Sequence, residues 1–295
     1  MARPEMVTTV RMRRRRIAAW PPRLYAPRSA LAGMDSVGTG LATIDWNDGR
    51  ADVSLARPEK RNAMTVDLMR DLTRAFERVD DAEDVRAVTL LGEGPVFCAG
   101  MDLHMMRERV EPDADVERDV FPELLAAIET ARQPVVVGIK RAAPAGAFEL
   151  TLPCDFRVIG RDATYGVIEV TLGTFPHGGA TQRLPRLIGL SKAKELVLTG
   201  EFIDPEEALA CGLVHEVCEP DAVDDRARAF ADRLCENAPL GLRNAKRALN
   251  AALETPLPQG LELERSLGRE LDDTHDYREG FEARLEDREP GFRGE

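Results

Sequence analysis

The stretch AVTLLGEGPVFCAGMDL, Ala87 to Leu103, decides how the chain is read. Its first half, AVTLL, is a mainly apolar run of strand length, the pattern of a strand buried on both faces. The chain then leaves that strand through Ala99 and Gly100, two of the smallest side chains available, and places an acid at Asp102. Two explanations fit such an exit. Either the chain only turns tightly there, or something has to approach its backbone at close range.

Working outward, LATID and ADVSLA flank Asn47-Asp48-Gly49 and predict a strand hairpin. RPEKRNAM follows as a loop. Thr65 predicts the cap of a helix through VDLMRDLTRAFERVDDA, where Val66, Leu68, Met69, Leu72 and Phe76 recur at helical spacing. Beyond the opening stretch, 115–130 reads as a helix and PVVVGI as a strand. AGAFELTLP reads as a short helix entered through Pro144, and FRVIG as another strand. Strands and helices alternate, which argues for an α/β class. After Gln182 helices dominate. Asp204-Pro205-Glu206-Glu207 is a helix start, with a capping acid, Pro at the first position and acids in the first turn. Three regions follow: a basic, disordered extension over 1–39, an α/β core over 40–220, and a helical region over 221–295, interrupted at Thr255 to Pro258.

The 295 residues are 43% hydrophobic, enough for one large domain or two modest ones. No apolar run approaches the 18 or so residues of a membrane span, so membrane insertion is not expected. Residues 1–33 hold eight Arg and one acid, leaving 32 basic and 51 acidic residues in the remainder. Such an acidic body disfavours nucleic acid and anionic surfaces as partners, and an anionic ligand would need a local basic patch. The Arg-rich start is a disordered arm, an organellar targeting segment, or sequence upstream of a true start at Met34. Five Cys without paired spacing fit reduced thiols and a cytoplasmic protein. The four His are scattered, and no Cys/His group has metal-site spacing.

Three segments place small residues or a carboxylate at the end of an element: FCAGMD (97–102), PAGAFE (144–149) and YGVIEVTLGTFPHGGATQRL (165–184). With RPEKRNAM before them and KELVLTGEFIDPEEALACGLV and EGFEARLEDREPGF after them, they resemble, in order, the segments of the crotonase, or enoyl-CoA hydratase/isomerase, family. The resemblance runs from about Gly40 to Gly294. It implies a crotonase-type spiral of ββα units with an α-helical C-terminal region used for trimerisation, as a homotrimer or hexamer. It also implies an acyl-CoA substrate and no cofactor or metal, coenzyme A being part of the substrate.

On this resemblance, the backbone N–H groups of Met101 and Gly146 form an oxyanion hole for the thioester oxygen. The small residues then let the thioester reach the backbone. Glu149 and Glu169 match the two catalytic glutamates of the family's hydratases, Glu149 activating water and Glu169 supplying the proton to Cα. The competing readings are a solvated helix acid for Glu149 and a strand-end salt bridge for Glu169. Lys60, Arg61, Ala99, Asp102, His177 and Arg288 are candidates for contacts to substrate or CoA. His177 holds the water through its backbone, narrows the pocket, relays a proton, or has no role. Met105, Met106, Val110 and the 111–120 loop are candidate acyl-pocket lining, and Cys98 reads as a small packing residue.

The implied activity is hydration of a 2-enoyl-CoA in fatty-acid or branched acyl-CoA metabolism. An isomerase, another acyl-CoA lyase or hydrolase, and a non-catalytic acyl-CoA-binding protein are the alternatives. Three departures from the family pattern bear on substrate binding. Lys140-Arg141 stands where Asn-Gly or His-Gly is usual, the Gly-rich run shrinks to Ala145-Gly146-Ala147, and Asp287-Arg288 replaces a Lys-Arg pair.

Overall fold

The structure is a computed structural model and describes residues 33–109, 117 and 119–295. In chain order its strands and helices are β1 (Gly33–Val37), β2 (Ala42–Asn47), β3 (Arg50–Leu55), α1 (Val66–Asp81), β4 (Ala87–Gly92), α2 (Leu103–Arg109) and α3 (Val120–Thr130). Then come β5 (Val135–Ile139), β6 (Ala142–Pro144), α4 (Gly146–Thr151), β7 (Phe156–Gly160), β8 (Thr164–Gly166), α5 (Ala180–Ile188), α6 (Leu190–Thr199), β9 (Phe202–Ile203), α7 (Pro205–Ala210) and β10 (Glu216–Cys218). Four helices close the chain: α8 (Val223–Cys235), α9 (Pro239–Ala251), α10 (Leu257–Arg269) and α11 (His275–Leu285).

A seven-stranded sheet runs in the order β1-β2-β3-β4-β5-β7-β10, and a three-stranded sheet in the order β6-β8-β9. The first three strands of the large sheet are antiparallel and the rest add in parallel. From β5 onward the chain alternates between sheets. β5 joins the large sheet and β6 the small one before α4, and β7 and β8 repeat this before α5. This is the expected ββα spiral. The hairpin is as predicted, with Asp48-Gly49 as its two-residue turn and Gly49 at φ 71°.

Every residue of β4 and β5 is buried, as their mainly apolar runs require, and the one polar side chain, Thr89, donates to Asp52 Oδ1 at 2.7 Å. α1 covers one side, burying Leu68, Leu72, Phe76 and Val79; Thr65 caps it by accepting the Leu68 N–H at 3.2 Å. On α8, Ala227 and Ala231 meet Ala87, Leu91, Val136 and Val158. These small residues permit close approach: a side chain on Gly138 would stand 2.9 Å from Leu91 and 3.3 Å from Ala227.

Three boundaries differ from expectation. Part of the expected 1–39 extension is structured, because Gly33–Val37 pairs with β2 as an edge strand. Residue 221 does not separate core from tail, because α8 packs on the large sheet. The helix expected from 115 begins at Val120; of the acyl-pocket candidates, Met105 and Met106 are half-buried on α2, while Val110, 111–116 and 118 lie outside the described residues, as do residues 1–32. Among the described residues no helix is long and apolar enough to cross a membrane, and no cluster of three or more His, Cys, Asp or Glu could hold a metal ion.

Candidate active site

After β4 the chain is clamped before it reaches the small residues. Asn62, fully buried at φ 55°, donates to the carbonyls of Glu93 and Val96 at 2.9 and 2.8 Å. Phe97 and Cys98 donate to the carbonyls of Lys140 and Ala142, and Ala99 to that of Arg61. Met64 then bridges residues 100–102: its N–H donates to Gly100 O at 2.8 Å and its carbonyl accepts from Asp102 N–H at 2.9 Å. In such a bridge the neighbours of Met101 do the bonding, so the Met101 N–H points away from Met64.

Gly146 lies across from Met101. A Cβ on Gly146 would fall 3.0 Å from Met101 Cε, and one on Gly100, itself at φ 98°, would fall 3.2 Å from the Pro144 carbonyl. Segments 99–101 and 144–146 therefore face each other. Gly146 is the first residue of α4, where the N–H has no acceptor within the helix. Pro144 does not enter this helix, as the sequence suggested. It ends β6, paired with Gly166, and Ala145 makes the turn at φ 51°, ψ −124°. That conformation normally requires glycine.

Glu149 follows one helical turn after Gly146 and is only 3% exposed, so it is not a solvated helix acid. Its Oε1 accepts the Ala180 N–H at 3.1 Å, and the Gly178 N–H stands close enough to favour the ionised form. Burial raises its pKa; these two N–H groups, then His177 and Arg183, act in the opposite direction. Gly178 leaves the carboxylate no spare room, since a Cβ there would lie 2.8 Å from Glu149 Oε2 and 2.4 Å from Phe121 Cε1.

Glu169 opens a short 3-10 turn, Glu169–Leu172, and is 7% exposed. Neither of its oxygens has a hydrogen-bond partner, so it is not half of a salt bridge. Burial, and then the nearby charge of Glu149, raise its pKa to about 7. Two carboxylates close enough to repel thus sit in different environments. Glu149 is hydrogen-bonded to a peptide group, and Glu169 is unpartnered and poised to hold a proton near neutrality.

The remaining candidates divide. Lys60 and Arg61 are exposed on the loop that touches Ala99, and neither forms an ion pair among the described residues. His177 is exposed, 4.5 Å from the Phe175 ring between centroids, and close enough to Glu149 to influence its charge. Cys98 is a buried packing residue whose thiol burial pushes up to about 12.

Two candidates have partners within the chain. Asp102 is taken up internally, pairing with Arg57 at 2.7 Å and capping α2 through the N–H groups of His104 and Met105. The Arg288 guanidinium is paired with Glu279 at 2.6 and 2.8 Å and with Glu286 at 2.6 Å. Lys140 and Arg141 also point into ion pairs, with Asp224, Asp162 and Asp221, and bring no cation to the thioester side. Asn62, Phe121, Gly178 and Arg183 were not singled out from sequence. Asn62, Gly178 and Arg183 lie within quoted motifs and Phe121 does not, and the roles of all four rest on contacts across the fold.

Segments 99–101 and 144–146 face each other, and the helix that starts at Gly146 carries Glu149, whose buried carboxylate lies near enough to that of Glu169 to repel it. The family model described as enoyl-CoA hydratase/isomerase matches residues 45–295. The (E)-benzylidenesuccinyl-CoA hydratase of Thauera aromatica is 36% identical over 254 residues, covering 85% of this chain and 98% of its own length. The 2,3-dehydroadipyl-CoA hydratase of Escherichia coli is 35% identical over 242 residues, covering 82% and 94%. The crystal structure of an enoyl-CoA hydratase from Bacillus anthracis superposes with a TM-score of 0.82 at 32% identity, covering 86% of this chain and all of that one. The chain belongs to the enoyl-CoA hydratase/isomerase family, and its fold is the crotonase fold.

Proposed function

We propose that this protein is an enoyl-CoA hydratase that adds water across the double bond of a 2-enoyl-CoA. The observation that carries the reading is the inequality of Glu149 and Glu169. The thioester oxygen accepts the N–H groups of Met101 and Gly146, which stabilise the negative charge that develops there. Ionised Glu149 takes a proton from water as the water oxygen bonds to Cβ. The electron pair of the double bond moves into the enolate, and protonated Glu169 delivers its proton to Cα. Oxyanion donors and proton carriers together cover each charge in the reaction, so the proposal includes no cofactor beyond the substrate's own coenzyme A. Lys60 and Arg61, exposed beside Ala99, are the proposed partners of the CoA phosphates.

The C-terminal helices leave Leu249, Leu253, Leu257, Phe281 and Leu285 exposed. We propose that these meet further copies of the chain in a homotrimer or hexamer. Free cysteines, five in all, fit a cytoplasmic location.

The test is loss of enoyl absorbance from crotonyl-CoA with the full chain beside Glu149→Gln and Glu169→Gln. Turnover that falls by about 10²–10⁴-fold in each variant is expected. An isomerase-like enzyme would tolerate loss of one glutamate, and binding of CoA without turnover would indicate a non-catalytic protein.

A further inference from the structure

We infer that Arg183, held in place by Glu129, is a positioning residue for Glu149: it fixes the loop whose peptide groups lie against the carboxylate and keeps that carboxylate aimed. The inference rests on the hydratase reading.

The grip on Glu149 comes from a loop, not from a rigid element. The Ala180 N–H holds the carboxylate, Gly178 is pressed against its other oxygen, and Gly179 between them is at φ 98°. A glycine pair in this region has wide conformational freedom unless something else restrains it. Arg183 supplies the restraint. Its Nη1 donates to the Gly178 carbonyl at 3.0 Å, and a Cβ on Gly179 would lie 2.2 Å from the same nitrogen, so the guanidinium lies directly against the loop.

The other two bonds of the guanidinium leave the loop. Nε and Nη2 donate to Oε1 and Oε2 of Glu129 on α3 at 2.9 and 2.6 Å, a bidentate pair that fixes the plane of the group. α3 also carries Phe121, whose ring edge packs against Gly178. The loop is therefore braced from α3 twice, once by a ring edge and once through the ion pair.

The charged groups about Glu149 are Arg183 from α5, His177 from the loop and Glu169 from the 3-10 turn; Glu129 answers Arg183 from α3. Arg183 is the permanently charged cation among them. Its field favours ionised Glu149, against the burial that favours the neutral acid.

The experiment compares Arg183→Gln, Arg183→Lys and Glu129→Gln in the full chain, reading kcat and KM for crotonyl-CoA across pH. In Arg183→Gln we expect kcat to fall ten- to hundredfold with KM within threefold, and the acid limb of the kcat profile to move to higher pH. Arg183→Lys, which keeps charge but loses the fork, should hold the limb near its original place while kcat falls. A parallel ¹³C NMR titration of the Glu149 carboxyl in the same proteins should show the same upward movement in Arg183→Gln. An unmoved Glu149 titration in folded Arg183→Gln, or an unchanged kcat, would overturn the inference. If Arg183→Gln does not fold, Glu129→Gln decides: Glu129 is 43% exposed, and its loss should cost kcat severalfold, an unchanged kcat refuting the brace. If the unaltered protein turns over no enoyl-CoA, the hydratase reading fails, and the NMR titration alone still judges Arg183.

Discussion

Gly178 is pressed against Glu149: a methyl group on the glycine would stand 2.8 Å from Oε2 of the carboxylate, within its contact radius. The same methyl would be 2.4 Å from Phe121 Cε1. Gly178→Ala must therefore displace either the ring or the carboxylate. Displacing a reacting group by about 1 Å costs on the order of 10²-fold in rate. We expect kcat to fall by about that factor with little loss of folded structure by circular dichroism. Adding Phe121→Ala should recover less than tenfold, because the clash with Oε2 persists.

The parts of this site legible in sequence are those set by local chemistry. The hairpin at Asp48-Gly49 and the caps at Thr65 and Asp204 each depend on a few adjacent residues. The motif run placed Glu149 and Glu169, although their inequality comes from burial that no local pattern shows. Arg183 and Glu129 are 54 positions apart and meet only through the packing of α5 and α3. Pro144 misled because proline suits two positions, the first turn of a helix and the edge of a sheet. β6 lies at an edge of the small sheet, where a missing N–H costs nothing. Neither β1 nor the docking of α8 on the sheet is legible, because GMDSV lacks alternation and the sheet-facing residues of α8 are alanines.

Glu169 makes activity and stability depend on pH with opposite requirements. As the proton donor it must be protonated, so hydration should decline as pH rises through about 7, and Glu169→Gln should lack that titration within its residual rate. A carboxyl with a folded pKa above its unfolded value of 4.5 contributes stability below the unfolded pKa and loses it as pH rises through the folded one. Above pH 7 the charged, unpartnered side chain costs up to about 2–3 kcal/mol. Urea unfolding should therefore show Glu169→Gln gaining stability over the native protein between pH 5 and pH 8. A constant difference across that range would contradict the burial of this charge.

Arg157 anchors the far end of the helix that carries Gly146 and Glu149. It is 2% exposed and donates to the carbonyls of Thr151, Cys154 and Leu213 at 3.2, 2.6 and 2.7 Å. Among the described residues it has no carboxylate partner, so these carbonyls stabilise the buried cation. Arg157→Met removes the charge but strands the three acceptors. Unfolding free energy should drop by about 3 kcal/mol. Tyr165→Phe, which removes the 2.8 Å bond between Tyr165 Oη and Thr151 Oγ1, should cost about 1 kcal/mol. Equal losses in the two variants would mean that the guanidinium is not the anchor.

Ala145 is the residue whose replacement should improve the protein. It turns the chain from β6 into α4 at φ 51°, ψ −124°, a region in which a β-carbon is strained by about 1–3 kcal/mol. Both sides impose the conformation: its N–H donates to Gly166 O at 2.9 Å, and its carbonyl accepts the Glu149 N–H at 3.0 Å. Ala145→Gly relieves the strain and adds about 0.4–1 kcal/mol of unfolded-state entropy, so a net gain near 1 kcal/mol is expected by denaturant titration. Catalysis distinguishes what the strain is for. If it is only tolerated, the Gly146 N–H stays where it is and kcat remains within about twofold. If the methyl holds that N–H on the thioester oxygen, the variant gains stability yet loses kcat tenfold or more, the trade expected when strain is part of preorganisation. A loss of stability would instead show that the methyl packs well enough to outweigh its own backbone.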